Sequence, residues 1–114
     1  PDWICRFYIG SDVDINIISR LIKNDCEIII VPYSKNTWIN MLWRFKPITD
    51  SEVDIFICRD TDSRLSLREK FAVDEWLESD KSVHIMRDHP YHSNCMLGGM
   101  IGFKRSIFEI VSLA

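Results

Sequence analysis

The chain has 114 residues, 46% of them hydrophobic, which suits a globular protein of one domain at most. Its 14 basic and 17 acidic residues give a formal net charge of −3, and the basic residues form no run. That excludes the electrostatic footprint of a nucleic-acid binder and a polybasic membrane patch.

Apolar runs alternate with amphipathic segments along the chain. Ile4 to Ile9, β-branched and aromatic, reads as a strand closed by Gly10. Asp14 is placed to cap a helix whose Ile15, Ile18, Leu21 and Ile22 fall on one stripe. Glu27 to Val31, with three consecutive isoleucines, predicts a strand buried on both faces and stopped by Pro32. Trp38, Met41, Leu42 and Phe45 recur at helical spacing before Pro47. Val53 to Arg59 predicts the next strand. Ser66-Leu67-Arg68-Glu69 is a capping-box pattern that opens a helix to Ser79 carrying Ala72, Val73, Trp76 and Leu77. Val83 to Met86 and the glycine-rich Cys95 to Phe103 complete the strands. Such alternation predicts an α/β fold, a mostly parallel sheet flanked by helices, with Ile4–Ile9, Glu27–Val31, Val53–Arg59 and Val83–Met86 in one sheet.

No stretch of about 18 apolar residues occurs, so no transmembrane segment is expected. Cys5, Cys26, Cys58 and Cys95 are widely separated and form no CxxC. Reduced, buried thiols of a cytoplasmic protein are expected rather than a disulfide framework. Position 1 is Pro, and the opening residues already read as chain interior. The sequence is therefore expected to be an internal piece of a longer protein, a single partial domain over 1–114.

Three clusters carry chemistry. The first is Arg59-Asp60-Thr61-Asp62-Ser63-Arg64, where an apolar strand ends in two carboxylates spaced i, i+2. In an extended backbone both share a face, at the carboxyl edge where open α/β sheets bind ligands. Two hard oxygen donors suit Mg²⁺ or Mn²⁺, and Arg59 and Arg64 suit phosphate. A solvated Asp-rich turn after a strand carries the same short pattern. The second cluster is His84-Ile85-Met86-Arg87-Asp88-His89-Pro90-Tyr91-His92. Alternation puts His84 and Met86 on one face, with Arg87, Asp88, His89 and His92 at the strand end and in the loop. His84 reads as a core histidine or a ligand, and Arg87 with Asp88 as an ion pair or site residues. HxxH lacks the glutamate and cysteines of zinc motifs, so His92 reads better as a phosphate or sugar contact. The third cluster is Leu97-Gly98-Gly99-Met100-Ile101-Gly102-Phe103. Three glycines in an apolar strand suit close approach of a ligand or backbone, or a bulge.

Together, Trp43-Arg44-Phe45, Arg59 to Ser66, Arg68-Glu69, Ala72 to Leu77, His84 to His92 and Leu97-Gly98-Gly99-Met100 resemble a glycosyltransferase family of polysaccharide and capsule clusters. That family is of the GT-A, nucleotide-diphospho-sugar-transferase type, and the resemblance covers nearly the whole chain. It implies an incomplete, Rossmann-like GT-A domain that uses a nucleotide-sugar donor, a glycan acceptor and Mn²⁺ or Mg²⁺. It implies that Asp60 and Asp62 are the metal-binding DxD, and that the glycine-rich strand, Gly98 and Gly99 with His89, lies beside the acceptor. For such an enzyme the residues themselves offer Arg59, Arg64, Arg87 and His92 as donor-phosphate contacts, and Asp88 as the candidate base if the reaction inverts. Family members begin one strand and one helix earlier and continue past residue 114, so the piece alone is expected to be inactive. They also carry Trp where this chain has Ile101.

Two other readings fit parts of the pattern. A haloacid-dehalogenase-type phosphohydrolase also ends a strand in DxD, its first Asp a nucleophile. It needs a later lysine and a paired acidic motif, where this chain offers Asp80-Lys81 and a lone Asp88. The other is a truncated, non-catalytic domain that binds sugar nucleotide or packs on a partner.

Overall fold

The computed structural model describes residues 2–93 and 97–107, a mixed α/β arrangement of five strands, three α-helices and a 3₁₀ segment among those residues. The elements fall into two units, Pro1–Arg44 and Phe45–Ala114.

In the first unit, β1 (Arg6–Gly10) pairs in parallel with β2 (Glu27–Val31), Arg6 opposite Glu27 and Gly10 opposite Val31. The crossover is α1 (Ile15–Ile22), and the Asp14 carboxylate caps it by accepting from the Asn16 N–H at 2.7 Å. Asp25 returns the chain to β2 with φ of 55°, a left-handed conformation that a short polar side chain tolerates. Ile9 and Val31 are buried, but Ile30 is 56% exposed. The expected burial of β2 on both faces is thus not met, since Ile30 is exposed beside the buried Val31. The predicted helix over Trp38–Phe45 is likewise split. Thr37–Met41 is α-helical (α2), capped by the Asn36 side chain, and Leu42–Thr49 tightens into a 3₁₀ segment that contains Pro47. Pro47 has no N–H to continue an α-helical ladder, and the tighter turn accommodates it.

In the second unit, β3 (Ile55–Arg59) leads into α3 (Leu67–Glu78), then β4 (Val83–Ile85) and β5 (Met100–Lys104). The strand order is β3-β5-β4, with β5 antiparallel to both neighbours. The four strands expected in one mostly parallel sheet therefore lie in two sheets, a parallel pair and an antiparallel triple. The physical reason is β5, which returns in the opposite direction and inserts between β3 and β4. Strand–helix alternation cannot reveal such an insertion. The glycine-rich strand is also shorter than expected: it begins at Met100, and Gly98 and Gly99 form the turn before it.

Ile101 is fully buried at the centre, with Phe56, Cys58 and Phe103 around it. The Phe56 and Phe103 rings lie 5.3 Å apart, and Phe45 meets Phe103 edge-on at 6.5 Å. Gly102 lets α3 approach β5: a Cβ there would fall 3.1 Å from the Trp76 ring and 2.8 Å from Ile57 Cγ2. Both ends of α3 are closed by side chains. The capping box of Ser66 and Glu69 is complete at its start. At its end, Lys104 Nζ donates to the carbonyls of Trp76, Leu77 and Ser79 at 3.0, 3.2 and 2.7 Å. A cation so placed satisfies carbonyls that the helix leaves open. Cys58 is buried as expected, whereas Cys5 is exposed and Cys26 half-buried. Cys95 and the tail from 108 to 114 lie outside the described residues.

Candidate functional site at the β3–β4–β5 edge

Because β3 and β4 both run antiparallel to β5, their carboxyl ends and the amino end of β5 meet at one edge. Arg59 stands opposite Met100, Ile85 opposite Ile101, and the Met86 N–H donates to the Met100 carbonyl at 3.0 Å. One step beyond these rungs lie Asp60, the Arg87–His92 loop and the Gly98-Gly99 turn. The topology thus gathers the two polar clusters and the glycine-rich one at one end of the sheet, although that sheet is not parallel.

Asp60 sits closest to the glycines. A Cβ built on Gly99 would fall 2.1 Å from Asp60 Oδ2 and 2.5 Å from its Cγ. The carboxylate therefore rests on the backbone of Gly99, in space only glycine leaves open. The described glycines have no positive φ, so Gly99 is needed for this approach and not for its backbone conformation. The chain does not stay extended after Asp60: the Ser63 N–H donates to the Asp60 carbonyl at 3.1 Å, closing a turn. The shared face for Asp60 and Asp62 expected from strand alternation does not apply, and the two carboxylates belong instead to one exposed turn. Among the described residues no group of three or more His, Cys, Asp or Glu is arranged to hold a metal.

Arg59 points into the fold. Its Nε donates to Glu69 Oε1 at 3.1 Å and its Nη1 to the Cys58 carbonyl at 2.7 Å, with 12% of the side chain exposed. A phosphate contact at the edge, as expected for Arg59, would require that buried pair to open. Arg64 is exposed in the loop before α3, and Arg87 is exposed after β4. Asp88 pairs with Arg68, in the first turn of α3, at 3.3 Å. The sequence offers no pattern linking Arg68 to the edge, since 20 positions of chain folding bring them together. In the loop, the His89 ring meets those of Tyr91 and His92 at a tilt, with centroids 5.2 and 5.5 Å apart. The His92 N–H donates to the His89 carbonyl at 2.8 Å, and its Nδ1 is buried without a partner.

His84 is a core histidine, 8% exposed and stacked on Trp76 at 5.2 Å, with Nε2 unpartnered. Burial first, and the nearby Arg59 cation second, push its pKa below the ordinary 6.5. The unfolded chain takes up this proton more readily, so the stabilisation is full above 6.5 and is lost as pH falls through the folded value. Urea unfolding of the protein at pH values descending from neutrality is expected to show falling stability below 6.5. In His84→Gln that slope shrinks, the other titrating groups being common to both proteins. An unchanged slope would assign the acid sensitivity elsewhere.

No family model matches this chain, and no match was found among curated proteins or among solved structures.

Proposed function

We propose that the chain is a cytoplasmic, metal-dependent glycosyltransferase that moves a sugar from a nucleoside-diphosphate donor to a hydroxyl of a glycan or other acceptor. The observation that supports this reading is the common edge, where a carboxylate seated on glycine backbone stands with basic, imidazole and glycine groups from two further chain segments. Breaking a sugar–diphosphate bond builds negative charge on the leaving oxygen, and the acceptor hydroxyl must lose a proton. Acidic and basic side chains at one edge answer both needs.

Asp60 and Asp62 would hold Mn²⁺ or Mg²⁺, and two carboxylates from one turn fit such a cation only with phosphate oxygens and water completing the shell. When bound, the cation supplies Lewis-acid stabilisation of the leaving diphosphate. Arg64, Arg87 and His92 donate charge-assisted hydrogen bonds to the phosphates. Gly98, Gly99 and His89 border the acceptor. Asp88, oriented by Arg68, receives the proton of the acceptor hydroxyl if the reaction inverts at the anomeric carbon.

The test is calorimetric titration of the complete protein with Mn²⁺ and a panel of nucleoside diphosphates. Binding that requires both, and that is lost in Asp62→Asn while the fold survives, is the expected result. Equal binding by wild type and variant removes Asp62 from the site. Phosphate release with a covalent Asp60 phosphate would hand the site to a phosphohydrolase.

A further inference from the structure

Cys5 and Cys26, distant in sequence, are brought side by side by the parallel pair of the first unit. The Glu27 N–H donates to the Cys5 carbonyl at 2.9 Å, one step before the Arg6–Glu27 rung. Arg6 and Glu27 form an ion pair, so side chains of one rung touch. Cys5 and Cys26 occupy the preceding rung, on the opposite face. The Cys26 thiol donates to the Asn24 carbonyl at 3.6 Å. Cys5 is exposed, so a small reagent reaches the pair. Both residues stand just outside the strands, β1 beginning at Arg6 and β2 at Glu27. Neighbouring strands lie roughly 4.8 Å apart, within the Cα separation of about 4.4–6.8 Å that a disulfide spans.

We propose that Cys5 and Cys26 form a reversible disulfide by exchange with a small-molecule disulfide of the glutathione class, stapling the start of β1 to the start of β2. The Cys5 thiolate attacks one sulfur of the small disulfide, forming a mixed disulfide and releasing one small thiol. The Cys26 thiolate then attacks the Cys5 sulfur, forming the internal bond and releasing the second. Two electrons pass from the protein dithiol to the small disulfide, and the two protein protons end on the released thiols. Partial burial and the neighbouring Cys26 raise the Cys5 pKa above the usual thiol value, so exchange accelerates as pH rises above neutrality. The staple closes the segment that contains α1, which lowers the entropy of the unfolded unit.

The test is equilibration of the protein in buffers of rising oxidised-to-reduced glutathione ratio, followed by alkylation, proteolysis and mass spectrometry. The expected product is a Cys5–Cys26 cross-link two hydrogens lighter than the dithiol, reversed by excess reduced glutathione, with a higher melting temperature in the oxidised form. Cys26→Ser should trap a glutathione adduct on Cys5 and lose the melting shift. Cys5→Ser, at an exposed position, should lose the shift in the same way. Alkylation of both thiols across the whole series overturns the proposal, as does cross-linking through Cys58 or Cys95 at the same ratio.

Discussion

Glu69→Ala is expected to cost the second unit about 3–5 kcal/mol, the loss typical of stranding one member of a buried ion pair. Glu69 has two tasks. Its Oε1 accepts from Arg59 Nε at 3.1 Å, and its Oε2 accepts from the Ser66 N–H at 2.9 Å in the capping box. Both partners of the ion pair are nearly buried, with 12% and 10% of their side chains exposed. Removing the carboxylate leaves a nearly buried guanidinium with one nitrogen, Nη2, already unpartnered. It also opens the first turn of α3, worth about 1 kcal/mol on its own scale. Glu69→Gln keeps an acceptor for the Ser66 N–H but removes the charge, so its loss should fall between Ala and wild type. Urea unfolding with an unchanged slope of free energy on denaturant is the measurement. A loss under about 1 kcal/mol for Glu69→Ala would show that Arg59 relaxes into water, as exposed pairs do.

Legibility differed by the kind of information each element needs. The capping box was readable because Ser66 and Glu69 are three positions apart, and the α3 start depends on nothing else. The Asp14 cap and the β2 bounds at Glu27 and Val31 were readable for the same local reason. The sheet order was not, because pairing of Phe56 with Phe103 depends on where β5 inserts, and no local pattern records that. Lys104 read as one basic residue among many; it closes α3 only once β5 lies beside the helix. The edge shows both cases. The clusters after β3 and β4 and before β5 stood out as polar or glycine-rich, and the fold gathers them. The partner of each charge did not stand out: Arg59 turns to Glu69 and Asp88 to Arg68, pairings set by the packing of α3.

If the proposed transferase reading holds, Gly99→Ala in the complete protein is expected to lower sugar-nucleotide hydrolysis or transfer by roughly 10²–10³, the scale for losing a preorganised charge-stabilising contact. The added methyl would sit 2.1 Å from Asp60 Oδ2, far inside contact distance, so the carboxylate must leave its present seat. Asp60 is at the exposed end of β3 and can swing toward water, which spares the fold. Gly102→Ala provides the contrast. Its methyl would meet Ile57 Cγ2 at 2.8 Å and the Trp76 ring at 3.1 Å, neighbours held in the packed interior. That substitution should cost stability, about 1–3 kcal/mol as overpacking does, while leaving the edge chemistry per folded molecule unchanged. The measurement pairs a thermal melt with a rate assay on wild type, Gly99→Ala, Gly102→Ala and Asp60→Asn. Gly99→Ala should melt near wild type yet match Asp60→Asn in rate, because both variants take the same carboxylate out of the same place. If Gly99→Ala retains full rate while Asp60→Asn loses it, the carboxylate acts from a position other than its seat on Gly99. If both retain full rate, the edge is a solvated turn and the transferase reading fails at its central residue.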